Sequence, residues 1–207
     1  MHVLLGVNGV TIRDKLLLAH LKNNIDEYVR QKTPDVKNPR MFTWSLERHW
    51  GDVKLGLRDM YPLIDFSDFD KKVYNPSLIS HLRDHLKSDE FYTKTRAPLQ
   101  ELINDNDHYV TLLSNAPLSW TAPVAWAIDP RCDVYLPTKN GILLPDPRVY
   151  EDVTAGLKSP FVIVDEKVMN LMPVLDNNDF ITYQFTNQFS GIFPTVQSLD
   201  ELRALLK

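Results

Sequence analysis

Residues 2–11 read His-Val-Leu-Leu-Gly-Val-Asn-Gly-Val-Thr, and the architecture is reasoned outward from them. His2 to Val7 is a short apolar run that stops at Asn8-Gly9, a strong turn signal. A run of this length and composition suits a strand buried on both faces, the kind found at the centre of a parallel sheet. Asp14 then precedes a stretch in which Leu17, Leu21, Ile25 and Val29 recur at helical spacing, so a helix follows the first strand.

From about residue 34 to 105 strand signals nearly vanish. Ser45–Leu57, Pro76–Lys87 and Thr95–Asn104 read as helices separated by Pro, Asp and Ser, and Leu78, Leu82 and Leu86 form one core stripe. Beyond Asp107 the pattern changes again. HYVTLLSNAP, CDVYLPT, FVIVDE and FITYQF read as strands, with helices expected over Pro147–Leu157 and Met169–Val174. Ser198-Leu-Asp-Glu201 has capping-box spacing and opens a last helix through Leu206. Alternating strands and helices imply an α/β protein with a Rossmann-like parallel sheet. Residues 1–13 and 106–207 are expected to form that core, and 14–105 an inserted α-helical cap.

Composition bounds the function classes. The chain has 207 residues, 43% of them hydrophobic and 24% charged, enough for a core that needs no staple. Lys plus Arg number 23 and Asp plus Glu 27, a formal charge of −4, which excludes a broad nucleic-acid surface. No window approaches the ~20 apolar residues of a membrane span. The N-terminal run, broken by Asn8 and without a basic leader, does not read as a signal peptide. The lone Cys132 excludes an internal disulfide and reads as an inert packed thiol, with a cytoplasmic location as the default. His81 and His85 stand one turn apart and would face one way, but no third ligand accompanies them, so they read as a solvated helix face. Trp44, Trp50 and Trp126 read as core or cap residues. Trp120, just after the Ser114 loop, is the strongest candidate for a stacking platform.

In an open parallel sheet, ligands bind beyond the carboxyl ends of the strands. Three such ends stand out: Gly6-Val7-Asn8-Gly9, Ser114-Asn115 and Asp165-Glu166. Their order and spacing, through HVLLGVNGVT, LLSNAP, LLPDPRVYEDV and FVIVDEKVMNL, resemble the haloacid dehalogenase superfamily of phosphohydrolases with a helical cap inserted after the first strand. Within the cap, RHWGDVKLGLRDMY is similar to a helix of pyrimidine 5′-nucleotidase-like members.

The resemblance implies a carboxylate nucleophile at the end of the first strand and an acid/base carboxyl two residues on. It also implies a Ser or Thr on the phosphoryl oxygens, a Lys before a Pro-x-Pro turn, and an acidic pair that holds magnesium. Ser114 and Asn115 match as phosphate- or ligand-binding candidates, as do Asp165 and Glu166 as metal candidates, with Asn170 beyond them. Gly6 stands where the nucleophile belongs, Asn8 where the general acid belongs, and Leu144 where the Lys belongs. Lys139, five residues earlier, is a further phosphate- or ligand-binding candidate. Losing the nucleophile removes the covalent path, and losing the acid costs a further ~10²–10⁴-fold.

Each surviving feature has a plainer account: Ser114-Asn115 as a turn, Asp165-Glu166 as a solvated acidic turn. The sequence therefore points to a catalytically degenerate pseudo-phosphatase, a binding or scaffolding module with a protein partner. A phosphohydrolase or nucleotidase with rearranged metal-dependent catalysis, and a sensor of a phosphorylated small molecule or nucleotide without turnover, are the alternatives. No cofactor is expected, and magnesium only if the acidic pair is functional.

Overall fold

The structure is a computed structural model that describes residues 1–105, 108–188 and 191–207, without the side chains of residues 139 and 140. Its sheet has six parallel strands: β1 (His2–Gly6), β2 (Tyr109–Leu113), β3 (Asp133–Tyr135), β4 (Phe161–Asp165), β5 (Phe180–Phe185) and β6 (Thr195–Val196). Their order is β3-β2-β1-β4-β5-β6. The strand read first is indeed central, and Val3, Leu4 and Leu5 are all buried. Every residue of β4 is buried too, as a strand covered on both faces must be. The two-residue β6 carries too little pattern to be legible in sequence.

Chain order reverses direction at β1, with β2 on one side and β4 on the other. This is the switch point at which open parallel sheets present their crevice. The register sets what meets there. Gly6 pairs with Leu113 and Leu5 with Val164, so Gly6, Ser114 and Asp165 end three adjacent strands at nearly one level.

Eleven α-helices accompany the strands among the described residues: α1 (Lys15–Lys32), α2 (Pro39–Trp50), α3 (Val53–Met60), α4 (Phe66–Val73), α5 (Pro76–His85), α6 (Asp89–Phe91), α7 (Ala97–Asp105), α8 (Leu118–Ile128), α9 (Arg148–Thr154), α10 (Val168–Leu171) and α11 (Leu199–Leu205). The helix expected over Ser45–Leu57 is two helices. Gly51, at φ 78°, ends α2 in the left-handed conformation that favours glycine, and Asp52 caps α3. The helix α8 was not legible because Pro123 lies inside it. Trp120 is fully buried, whereas Trp44 and Trp126 are exposed rather than packed in a core.

The chain divides into two compact units, Met1–Arg13 with Arg83–Lys207, and Asp14–Leu82. The helical unit therefore ends at Leu82, short of the boundary near residue 105 that the sequence suggests. Residues 83–105 join the sheet unit because α7 packs on α8 and α11 there. Arg203 Nη2 also holds Asp105 Oδ2 at 3.0 Å. An amphipathic helix shows which face it buries, but not against which body.

Within the helical unit, α1 packs on α2 and α4, and α2 on α3. Leu17, Leu21, Tyr28, Val29, Leu46, Leu57, Phe69 and Val73 are buried. Asp14 starts the unit: its Oδ1 accepts the Leu16 and Leu17 N–H groups at 2.8 and 2.9 Å. Removing this cap exposes two orphan donors of the first turn. Asp14→Ala is expected to cost about 1 kcal/mol, read as a lower midpoint in urea unfolding with unchanged slope.

Candidate functional site

The three strand ends meet, and their side chains bond to partners elsewhere in the chain. Gly6 is buried at the end of β1. A Cβ placed on it would lie 2.6 Å from Asp165 Oδ2 and 3.4 Å from Val10 Cγ2. The Asp165 carboxylate thus occupies the space through which a residue-6 side chain would leave the strand. It is held there at both oxygens. Oδ1 accepts the Lys167 N–H at 2.8 Å and Oδ2 accepts the Asn170 amide at 3.0 Å. Asn170 is itself buried, and its carbonyl takes a hydrogen bond from the buried Tyr150 hydroxyl.

Burial pushes the Asp165 carboxyl up to about 6, with the Glu166 charge adding to the shift and the two hydrogen bonds opposing it. Glu166 is exposed and lies over Gly9, where its carboxylate fills the place of any Cβ. Gly9 has φ 85°, so a side chain would be strained there even without Glu166. Asp165 and Glu166 therefore each cover one of the two glycines of the first loop.

Asn8 faces the other way. Its Oδ1 accepts the indole N–H of Trp120 at 3.0 Å. Trp120 is fully buried, so its ring has no open face on which a base could stack. The loop after Asn8 closes on itself through Thr11 N to Val7 O at 3.0 Å and Ile12 N to Val7 O at 2.9 Å. Thr95 Oγ1 braces it from outside by donating to Thr11 O at 3.1 Å.

Ser114 is buried, and its Oγ accepts the Ala116 N–H at 3.1 Å, a turn-forming contact. Asn115 grips the chain 29 residues later. Its Oδ1 accepts the Leu144 N–H at 2.9 Å, and its Nδ2 donates to the Leu144 carbonyl at 3.0 Å. The Leu144 side chain turns into the core with Leu4, Leu113, Val149 and Ile163, where a Lys could not keep its charge solvated. Lys139 sits in the turn before it, with its side chain outside the described residues. Sequence reasoning missed the Asn8–Trp120 bond and the Asn115 clamp, because neither leaves a mark in local spacing.

Magnesium, which the resemblance brings with it, needs several oxygen donors converging on one point. Both Asp165 oxygens and the Asn8 side-chain Oδ1 already accept hydrogen bonds. Among the described residues no group of three or more His, Cys, Asp or Glu side chains gathers as a metal cage. At this site magnesium would be held by the Asp165 carboxylate, with Oδ2 shared between the ion and Asn170. The Cys132 thiol is buried and pushed up to about 12, chiefly by desolvation, so it stays protonated and is no nucleophile. His81 turns toward His20 rather than pairing with His85.

Solved structures with a similar fold are known. A dehalogenase superposes with a TM-score of 0.51 over 99% of this chain and 96% of its own, at 18% identity. A defluorinating L-2-haloacid dehalogenase gives 0.53 over 99% and 94%, at 14% identity. The UTR4 protein of Saccharomyces cerevisiae gives 0.50 over 95% and 97%, at 12% identity. The chain has the haloacid dehalogenase-like fold. Identities this low carry the fold and not the activity. No family model matches the chain, and no curated protein matches it by sequence. The haloacid dehalogenase-like sheet is complete here, while the residues at its strand ends are tied into a closed set of internal bonds. No helix among the described residues is long and apolar enough to cross a membrane.

Two measurements check this account. Gly6→Ala is expected to destabilise by about 1–3 kcal/mol through overpacking, and Asp165→Ala to remove most of that cost, so that the double-mutant cycle is non-additive. Asp165 also sets a pH dependence. Its carboxyl lies above the ordinary 3.8 in the folded state, so stability falls as pH rises from about 4 to 6 and the penalty is complete above 6. Relative to wild type, Asp165→Asn is expected to gain about 3 kcal/mol between pH 4 and 7, measured by chemical unfolding at each pH.

Proposed function

We propose that this protein is a catalytically degenerate member of its fold class, a pseudo-phosphatase that works as a binding or scaffolding module for another protein. One observation carries the reading: an Asp165 carboxylate oxygen stands 2.6 Å from the point where a Cβ of residue 6 would lie, the position that a nucleophile would occupy. Phosphoryl and acyl-type displacements need a nucleophile placed in line with the reacting centre. Here the strand end offers a glycine backbone, and the nearest carboxylate is buried and hydrogen-bonded at both oxygens.

Two further features support it. Asn8 has no proton to exchange near neutral pH, and its amide carbonyl is spent on Trp120. Leu144 supplies no positive charge and is held in an apolar cluster. A binding role keeps the fold and asks nothing of these positions. The formal charge of −4 argues against a nucleic acid as partner and leaves a protein as the reading.

A second reading keeps chemistry at the site. Asp165 is a buried acid with a perturbed titration beside a crevice, the type of group that active sites often hold. Released from Asn170, it would offer magnesium one carboxylate, with Glu166 as the second. Ser114 would then face a phosphorylated small molecule, with or without turnover.

Steady-state assays separate the readings. With p-nitrophenyl phosphate, a panel of nucleoside monophosphates and 2-haloacids, with and without magnesium, wild type is expected to stay at the uncatalysed background. Magnesium-dependent turnover that disappears in Asp165→Ala would overturn the proposal in favour of rearranged hydrolysis. Thermal stabilisation by the same phosphates without product release would favour the sensor.

A further inference from the structure

We infer that His20 and His81 form a two-histidine site for a late transition-metal dication such as zinc, which clasps the first and last helices of the helical unit. The inference is independent of what the strand ends do. His20 lies on α1 and His81 on α5, 61 residues apart in sequence, yet their Nδ1 atoms stand 3.0 Å from each other. The ring centroids are 5.0 Å apart and the planes are inclined by 60°.

Those distances are close to what a shared ion requires. Zinc–imidazole bonds of about 2.0–2.1 Å at a tetrahedral angle put the two nitrogens about 3.3 Å apart and the ring centroids about 5.2 Å apart. The pair needs to open by only a few tenths of an ångström to admit the cation. Without one, a direct contact between two Nδ1 atoms requires one ring to donate and the other to accept, which fixes opposite tautomers on two otherwise equivalent groups. Such a bond in a solvent-accessible place competes with water and contributes little. An ion shared by both lone pairs satisfies the two rings in the same tautomer.

Access and chemistry agree. His81 is exposed and His20 half-buried, so an ion reaches the pair from solvent without unfolding. Among the described residues no third His, Cys, Asp or Glu completes the group, so water fills the remaining positions. Two neutral nitrogen donors without a carboxylate select zinc, copper or nickel and not magnesium or calcium. The placement gives the site a consequence. The helical unit runs Asp14–Leu82, so the pair joins helices at its two ends, and a cation held there closes a long loop of chain.

The test uses the full chain without a histidine tag, titrated with zinc chloride by calorimetry and followed by thermal unfolding, with magnesium chloride as control. Wild type is expected to bind one zinc and unfold at a higher temperature in its presence, with no response to magnesium. His20→Ala and His81→Ala are each expected to weaken zinc binding by more than about tenfold, since loss of a direct ligand exceeds the loss of an outer partner. His85→Ala, one turn along α5, should leave it unchanged. His81 is exposed, so its replacement leaves the packing intact; cobalt absorption of the wild type gives a readout that needs no variant. Absence of zinc binding to wild type, or binding unchanged in His81→Ala, would overturn the inference.

Discussion

The strand-end region depends on one close approach: an Asp165 carboxylate oxygen stands 2.6 Å from the point where a Cβ of residue 6 would lie. Glycine is the residue that leaves that space free, and Asp165 is the group that takes it. The parallel register brings the two positions together. Leu5 pairs with Val164, so residues 6 and 165 leave adjacent strands at the same level. A charge enclosed there needs donors, and the Lys167 amide and Asn170 supply them, with Tyr150 fixing Asn170 from behind. Even so, the carboxyl remains harder to ionise than a solvated one.

The same economy extends around the crevice. Asn8 orients Trp120, Asn115 holds the Leu144 backbone, and Ser114 closes its own turn. Asn8, Ser114, Asn115 and Asp165 thus each hold a partner within the chain, as buried polar groups in native structures generally do. These bonds tie fold stability to residues that the resemblance would assign to chemistry.

Much of this was legible in the sequence, for physical reasons that differ from residue to residue. The central strand was readable because burial on both faces demands an unbroken apolar run, and His2–Val7 is one. The last helix was readable because Ser198 and Glu201 satisfy the first turn locally, and Ser198 Oγ does accept the Glu201 N–H at 3.1 Å. The missing acids at residues 6 and 8 were readable as identities alone. What filled the gap was not, since the direction of Asp165 depends on Asn170 and on packing between strands 159 residues apart in sequence. The end of the helical unit was missed for a related reason. α7 shows an apolar face, but its partners α8 and α11 come later in the chain. His20 and His81 likewise become neighbours only through the folding of α1 against the rest of its unit.

The filled crevice also bears on how such a site could change. A simple loss of the nucleophile would leave a hole lined by polar atoms, and water would enter it. The chain instead shows a hole occupied by the next acid along the sheet, with supporting donors in place. Restoring an aspartate at residue 6 would then set two carboxylates against each other in a buried space, where like charges cannot both ionise at low cost. The Asp165 side chain would have to turn out, leaving Asn170 without its acceptor. A covalent route through residue 6 would thus ask for changes at residues 6 and 8 and around Asp165 together, and changes at neighbours in contact are not additive.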